Sequence, residues 1–317
     1  MKANLSLSII LSFFMIVITV VHSPAGELDR EPYLTKSFNV SQPSEVNVET
    51  SGGSITILGG SGDRVEVKMY VKKNGTSWFG SDDVEESLED YDINISKQGN
   101  TVYATAERRG SGWNSNPLSI SFVLEVPNKT STQLKTSGGS INLTSVEGNQ
   151  ELHTSGGSLN FENVNGYTKA RTSGGSININ NYQGVMDGRT SGGSIRVQNA
   201  GGEMDLHTSG GSIVLEDVTG SIEARTSGGS IKAFVLDIND YLTLKTSGGS
   251  VNAVIPEGIG VDLDLSGNRV NTELSNFSGS AEKNSIEGSM NGGGAAVTLK
   301  TSGGSVNLDY HKIEARN

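Results

Sequence analysis

The chain has 317 residues, with 42 Gly, 6 Pro, no Cys, 34% hydrophobic residues and only 6% aromatic residues. Without cysteine there is no disulfide scaffold, no thiolate nucleophile and no Cys-based zinc or iron–sulfur site. A net charge of −11 excludes the basic footprint a nucleic-acid binder needs, and 42 Gly beside 6 Pro fits neither collagen nor a proline-rich linker.

Residues 1–25 carry one basic residue, Lys2, an apolar run from Ile9 to Val21, and small residues at Ser23 and Ala25. That order is the pattern of a secretory signal peptide cleaved after Ala25. A retained membrane anchor is the competing reading, for which the apolar run is short. A lipid anchor would need a cysteine, and no other segment reaches the length of a transmembrane span. We expect an exported protein that is periplasmic, cell-surface or extracellular.

Residues 26–135 are expected to form N-terminal strands and a cap. Val65 to Val71 alternates as a strand. Ser81 to Tyr91 suits a short helix, with Ser81 as N-cap, Asp82 and Asp83 in the first turn, and Val84, Leu88 and Tyr91 on one face. Asp92 to Ser96 and Thr101 to Ala106 read as a hairpin across Gly99-Asn100, and Ser119 to Val126 as a longer strand. Trp78 and Trp113 fall in this region, either packed in the cap or stacked on sugar rings. The acidic run around Asp82 to Asp90 fits an exposed helix start better than a cation site.

Residues 136–317 are dominated by a repeat. Thr-Ser-Gly-Gly-Ser occurs nine times, starting at Thr50, Thr136, Thr154, Thr172, Thr190, Thr208, Thr226, Thr246 and Thr301, and the starts are evenly spaced from Thr136 to Thr226. A degenerate copy begins at Ser266, and residues 254–299 break the period before the last copy. Within each unit apolar residues alternate, as in Ile141 and Leu143 or Leu159 and Phe161, and a glycine such as Gly148 or Gly166 marks a turn. Two short strands per unit predict an all-β, single-stranded β-solenoid (β-helix) with about 18 residues per rung, atypical C-terminal rungs and a small N-terminal cap holding a hairpin and one short helix. A propeller blade is too long for this period, and a meander does not require identical turns. The paired glycines are expected at a corner, with one or both at positive φ where a Cβ would clash.

The signal-like segment, the early Ser51-Gly-Gly-Ser-Ile55 strand pair, the acidic helix and hairpin, the tandem Thr-Ser-Gly-Gly-Ser-Ile rungs and the closing Ile286 to Gly294 and Val297 to Val306 resemble the bacterial putative adhesin family. That family is a domain of unknown function built of β-strand repeats and is loosely related to autotransporter adhesin heads. The resemblance spans about residues 40–310. It implies an exported β-repeat protein, and it brings neither a ligand nor catalytic residues.

A cation precedes most pentapeptides: Lys135, His153, Arg171, Arg189, His207, Arg225, Lys245 and Lys300. Two residues earlier lie Glu151, Asp187, Asp205 and Glu223, interrupted by Lys169. Stacking sets a basic column beside an acidic one, which is either a strip for anionic polysaccharide or, as we expect, a lattice of surface ion pairs. Asn142, Asn160 and Asn178 form a second outward array, either glycan-facing or a closed amide ladder. No phosphate loop, nucleophile elbow, zinc motif or calcium repeat is present, so no catalytic, cofactor or metal residue is expected. The expected function is non-enzymatic and adhesin-like: repeated weak contacts with cell-surface or extracellular polysaccharide, matrix or envelope components. The alternatives are a structural envelope spacer and a β-helix enzyme acting on acidic polysaccharide. No nucleic acid and no remaining transmembrane span are expected, and the oligomeric state is not specified.

Overall fold

The structure, a computed structural model, describes residues 31–73, 85, 87–110 and 118–312. The leader-like segment 1–25, Trp78, Trp113 and residues 81–84 and 86 of the expected helix lie outside these residues. Of that helix Glu85, Ser87 and Leu88 are helical, with Leu88 packed on the core, but Glu89 and Asp90 form a turn and Tyr91, expected on the helix face, instead opens the strand Tyr91–Gln98. Everything else with regular structure is β. Among the described residues no helix is long and apolar enough to cross a membrane.

The central repeats set the pattern. Strands β11 (Leu159–Thr172), β12 (Ile177–Thr190), β13 (Ile195–Thr208) and β14 (Ile213–Thr226) stack in parallel, with Leu159 opposite Ile177 and Arg171 opposite Arg189. Each partner lies one full sequence period further along the chain, as in successive rungs of a β-solenoid. A constant offset turns one sequence position into a column of side chains. Because side chains alternate across a strand, Ile141, Leu159, Ile177, Ile195, Ile213 and Ile231 all point inward and are fully buried. Each contributes about 1.5–3 kcal/mol by leaving water. One contiguous core results.

Every rung has two corners. At the pentapeptide corner the threonine points inward: Thr172 Oγ1 donates to the carbonyl of Gly157 in the preceding rung at 2.8 Å and accepts from Gly175 N–H in its own turn at 3.3 Å. The same pair of bonds recurs at Thr154, Thr190, Thr208, Thr226 and Thr246. The expectation of positive φ at these glycines is not met. What excludes a side chain at the second glycine is the neighbouring rung: a Cβ on Gly175 would stand 1.9 Å from Gly157 O, whereas one on Gly174 would meet nothing closer than 3.5 Å.

The left-handed conformation belongs to the other corner. Ser145, Asn163, Asn181, Asn199 and Asp217 have φ of 53–58°, a conformation Asn and Asp tolerate better than most residues. Gly148, Gly166, Gly184, Gly202 and Gly220, read from sequence as turn markers, lie within the extended run that follows and bend it at φ of 111–145°.

Chain order and spatial order part company at both ends. β2 (Ser44–Thr50) pairs in parallel with β8 (Thr130–Thr136), and β3 (Ile55–Gly60) pairs with β9 (Ile141–Thr144), so the first pentapeptide stacks directly on the second. The intervening chain lies further out. β6 (Thr101–Arg108) adds to β2 and carries β5 (Tyr91–Gln98) antiparallel across Gly99-Asn100. β7 (Leu118–Pro127) adds to β3, followed outward by β4 (Arg64–Lys73) and β1 (Leu34–Asn39), both antiparallel.

At the far end β15 (Ile231–Thr246) is followed in space by β21 (Ala295–Thr301) and, through β16 (Val251–Pro256), by β22 (Ser305–His311). β17 (Val261–Ser266) and β18 (Arg269–Thr272) stack beyond them. β20 (Ser285–Met290) and β19 (Phe277–Ala281) close that edge antiparallel. The last pentapeptide in the chain is therefore not the last in the stack: Thr301 Oγ1 donates to Gly249 O, and the degenerate copy lies outside it, with Asn268 N–H donating to Gly304 O.

Candidate functional site

The outward columns on the strand run that ends in threonine carry most of the charge. Register places Glu49, Lys135, His153, Arg171, Arg189, His207, Arg225, Lys245 and Lys300 in one line. A second line, two residues earlier on each strand, holds Gln133, Glu151, Lys169, Asp187, Asp205 and Glu223. Most of these charges are paired, within a line or across to the other. Asp187 accepts from Arg171 and lies 3.0 Å from Arg189, which reaches Asp205 at 2.9 Å. Lys135 pairs with Glu49, Lys169 with Glu151, Arg225 with Glu223 and Lys300 with Asp264. Among the described residues His153, His207 and Lys245 have no ion-pair partner.

The titration of these groups follows their partners. Burial pushes the Asp187 carboxyl up, but hydrogen bonds and charge from Arg171 and Arg189 outweigh it and hold it below its ordinary value. The Glu49 hydrogen bond and charge raise Lys135. Pairs this exposed each contribute well under about 1 kcal/mol. The chemistry here is that of a charge-balanced lattice with both signs in close alternation.

The strand run that begins each rung carries the amide array. Asn160 Nδ2 donates to Asn142 Oδ1 and Asn178 Nδ2 to Asn160 Oδ1, both at 2.8 Å, and Asn142 Nδ2 donates to Thr56 Oγ1 at 3.3 Å. Arg196 succeeds Asn178 in the column and ends the run. The line resumes where Asn307 and Asn271 continue from Asn252. Asn142, Asn160 and Asn307 each use one donor and one acceptor in these bonds, leaving one N–H outward.

Sequence reasoning missed the Asn163–Asn181–Asn199 corner, although its signal was present: an Asn, Asp or Ser nine residues after each pentapeptide threonine from Thr136 to Thr208. Asn181 Nδ2 donates to Asn163 Oδ1 at 3.0 Å. Inside, Tyr182 turns its hydroxyl to the carbonyls of Gly166 and Val185, and burial pushes its pKa up to about 12. No group of three or more metal-capable side chains occurs among the described residues.

Residues 200–309 match the family model of the Toastrack domain DUF4097. Among the solved structures that align with the chain are two from bacteria. A putative adhesin from Bacteroides fragilis NCTC 9343 is 12% identical, with 88% of this chain and 96% of that one covered at a TM-score of 0.35. A putative cell adhesion protein from Clostridium sporogenes ATCC 15579 is 10% identical, with 89% of this chain and all of that one covered at a TM-score of 0.19. No curated protein matches the chain.

Proposed function

We propose that this chain is an exported, non-enzymatic, adhesin-like β-repeat protein that makes repeated weak contacts with glycan, matrix or envelope components. The observation that carries the reading is the register: outward residues of equivalent chemistry recur on parallel strands through at least five consecutive strands, at a rise of about 4.8 Å per strand. A polymer with its own regular repeat can meet such a surface many times over, so that affinity comes from summed contacts and not from a deep pocket. Amides with one free N–H, alternating charges and shallow relief suit hydroxyl-rich ligands.

The neutralised acid and base columns favour a second reading, a structural spacer in the envelope whose surface is built for solubility along a long stack. Purified protein tested on a glycan array and in a whole-cell binding assay separates the two. Saturable binding in either supports the adhesin-like reading, and silence in both from folded protein leaves the spacer. Depolymerisation of pectin or alginate by the purified chain would overturn the non-enzymatic assignment.

A further inference from the structure

We propose that a groove with Tyr167 at one end is a discrete subsite for a neutral oligosaccharide, an inference that rests on the glycan-contact reading above and names where and what it binds. The groove is an open surface depression of about 670 Å³ lined by Glu45, Gln133, Asn149, Glu151, Tyr167 and Lys169 among others.

Tyr167 departs from its column. The equivalent position is Asn149 on the rung before and Val185 on the rung after, so the register does not demand an aromatic residue here. The side chain points outward and is 46% exposed. No ring contact to another described aromatic residue is made, and its hydroxyl has no hydrogen-bond partner among the described residues. An aromatic ring left in water offers its face to a ligand with an apolar side.

The polar groups around the ring converge on the same space and keep capacity to spare. Asn149 lies directly beside Tyr167 in the neighbouring strand, is exposed, and its side-chain amide has no partner among the described residues. Gln133 accepts from Asn47 Nδ2 at 2.7 Å through Oε1, so its own amide N–H groups remain available. Glu151 holds Lys169 at 2.8 Å through Oε1, leaving Oε2 as an acceptor. One stacking ring, two amides and one carboxylate oxygen are the set that recognises a pyranose, whose C–H face is apolar and whose edge carries vicinal hydroxyls.

Charge selects the class. Lys169, the one cation in the lining, is already paired with Glu151, and Glu45 adds a further carboxylate. With two carboxylates against one cation the lining is net acidic and disfavours uronate or sulfate groups. A neutral chain running across the strands meets the ring at one end and the amides of successive rungs beyond it.

The test is isothermal titration calorimetry of the full chain with cellotetraose, mannotetraose and chitotetraose, and with polygalacturonate as the acidic comparator. Saturable binding of at least one neutral tetrasaccharide is expected. Tyr167→Ala should weaken it about tenfold and Asn149→Ala severalfold, while Glu257→Gln, exposed just after Val251–Pro256 at the other end of the stack, leaves it unchanged. Circular dichroism of each variant checks that the exposed substitutions preserve the fold. Binding of polygalacturonate alone, no binding of any tetrasaccharide, or neutral binding undiminished by Tyr167→Ala would each overturn the subsite. Cell or array binding alongside tetrasaccharide binding that is absent or undiminished by Tyr167→Ala sinks the subsite and spares the broader reading, whereas silence in every assay sinks both.

Discussion

Gly175 and Gly174 are adjacent in sequence, yet alanine should have opposite consequences at the two positions. A Cβ on Gly175 would lie 1.9 Å from Gly157 O, 2.3 Å from its carbonyl carbon and 2.7 Å from Ser158 N, all backbone atoms of the rung before. Restoring even a tight separation of 3.0–3.4 Å requires the two turns to part by more than an ångström. Two hydrogen bonds cross that gap, from Thr172 Oγ1 to Gly157 O at 2.8 Å and from Gly174 N–H to Ser155 O at 2.9 Å. Neither survives a displacement of that size. Losing both, with the Gly157 carbonyl left unsatisfied and the neighbouring core strained, costs about 3–5 kcal/mol. A Cβ on Gly174 meets only ordinary contacts at 3.5 Å and beyond. Gly174→Ala should therefore change stability by less than about 1 kcal/mol, because the entropy lost by the unfolded chain offsets small adjustments. Urea unfolding followed by circular dichroism, comparing midpoints at equal slope, reads the difference directly. If Gly175→Ala is as stable as the parent, or if Gly174→Ala falls with it, inter-rung contact is not why the second glycine is there.

Three further outcomes follow from the same contacts. Thr190→Val keeps the shape of a buried residue but removes the hydroxyl that donates to Gly175 O at 2.8 Å and accepts from Gly193 N–H at 3.3 Å; a loss of about 2–3 kcal/mol in denaturant unfolding is expected. At Asn181, with φ of 53°, glycine should be tolerated within about 0.5 kcal/mol and valine should cost about 1–2 kcal/mol in thermal unfolding. Because the Asp187 pKa is lowered in the folded chain, its stabilising contribution is complete above the ordinary carboxylate value of about 3.9 and disappears as pH falls through the folded value. Asp187→Asn should flatten that acid limb in a pH series of melting temperatures; an unchanged limb would show that the Arg171 and Arg189 contacts do not set it.

The candidate faces were partly legible in the chain itself. The cation column and the amide array could be written down from the repeat period because equivalent positions on parallel strands become neighbours. Which acid each cation meets could not, since Arg189 bridges Asp187 in its own strand and Asp205 in the next, a choice made by side-chain rotamers. Tyr167 escapes the period, because a repeat marks only residues that recur. Its signal was the opposite one, a departure from the column.

Sequence alone determined the repeat: the inward apolar positions, the outward polar ones, and a Thr-Ser-Gly-Gly-Ser corner in each regular rung. A fixed period and the alternation of a strand are local properties, and parallel stacking carries them into three dimensions without further information. The tertiary structure decided what depends on distant parts of the chain. Thr301 stacks on Thr246, and the Ser266 copy is pushed outward. The segment from β4 to β7 lies beyond strands that precede it. The antiparallel returns at each end allow a later strand to take an earlier place, and nothing in a local pattern fixes that choice. The second glycine belongs to the same class. Its lack of a side chain answers to a carbonyl one full period away, at a separation that exists only once the rungs have closed on each other.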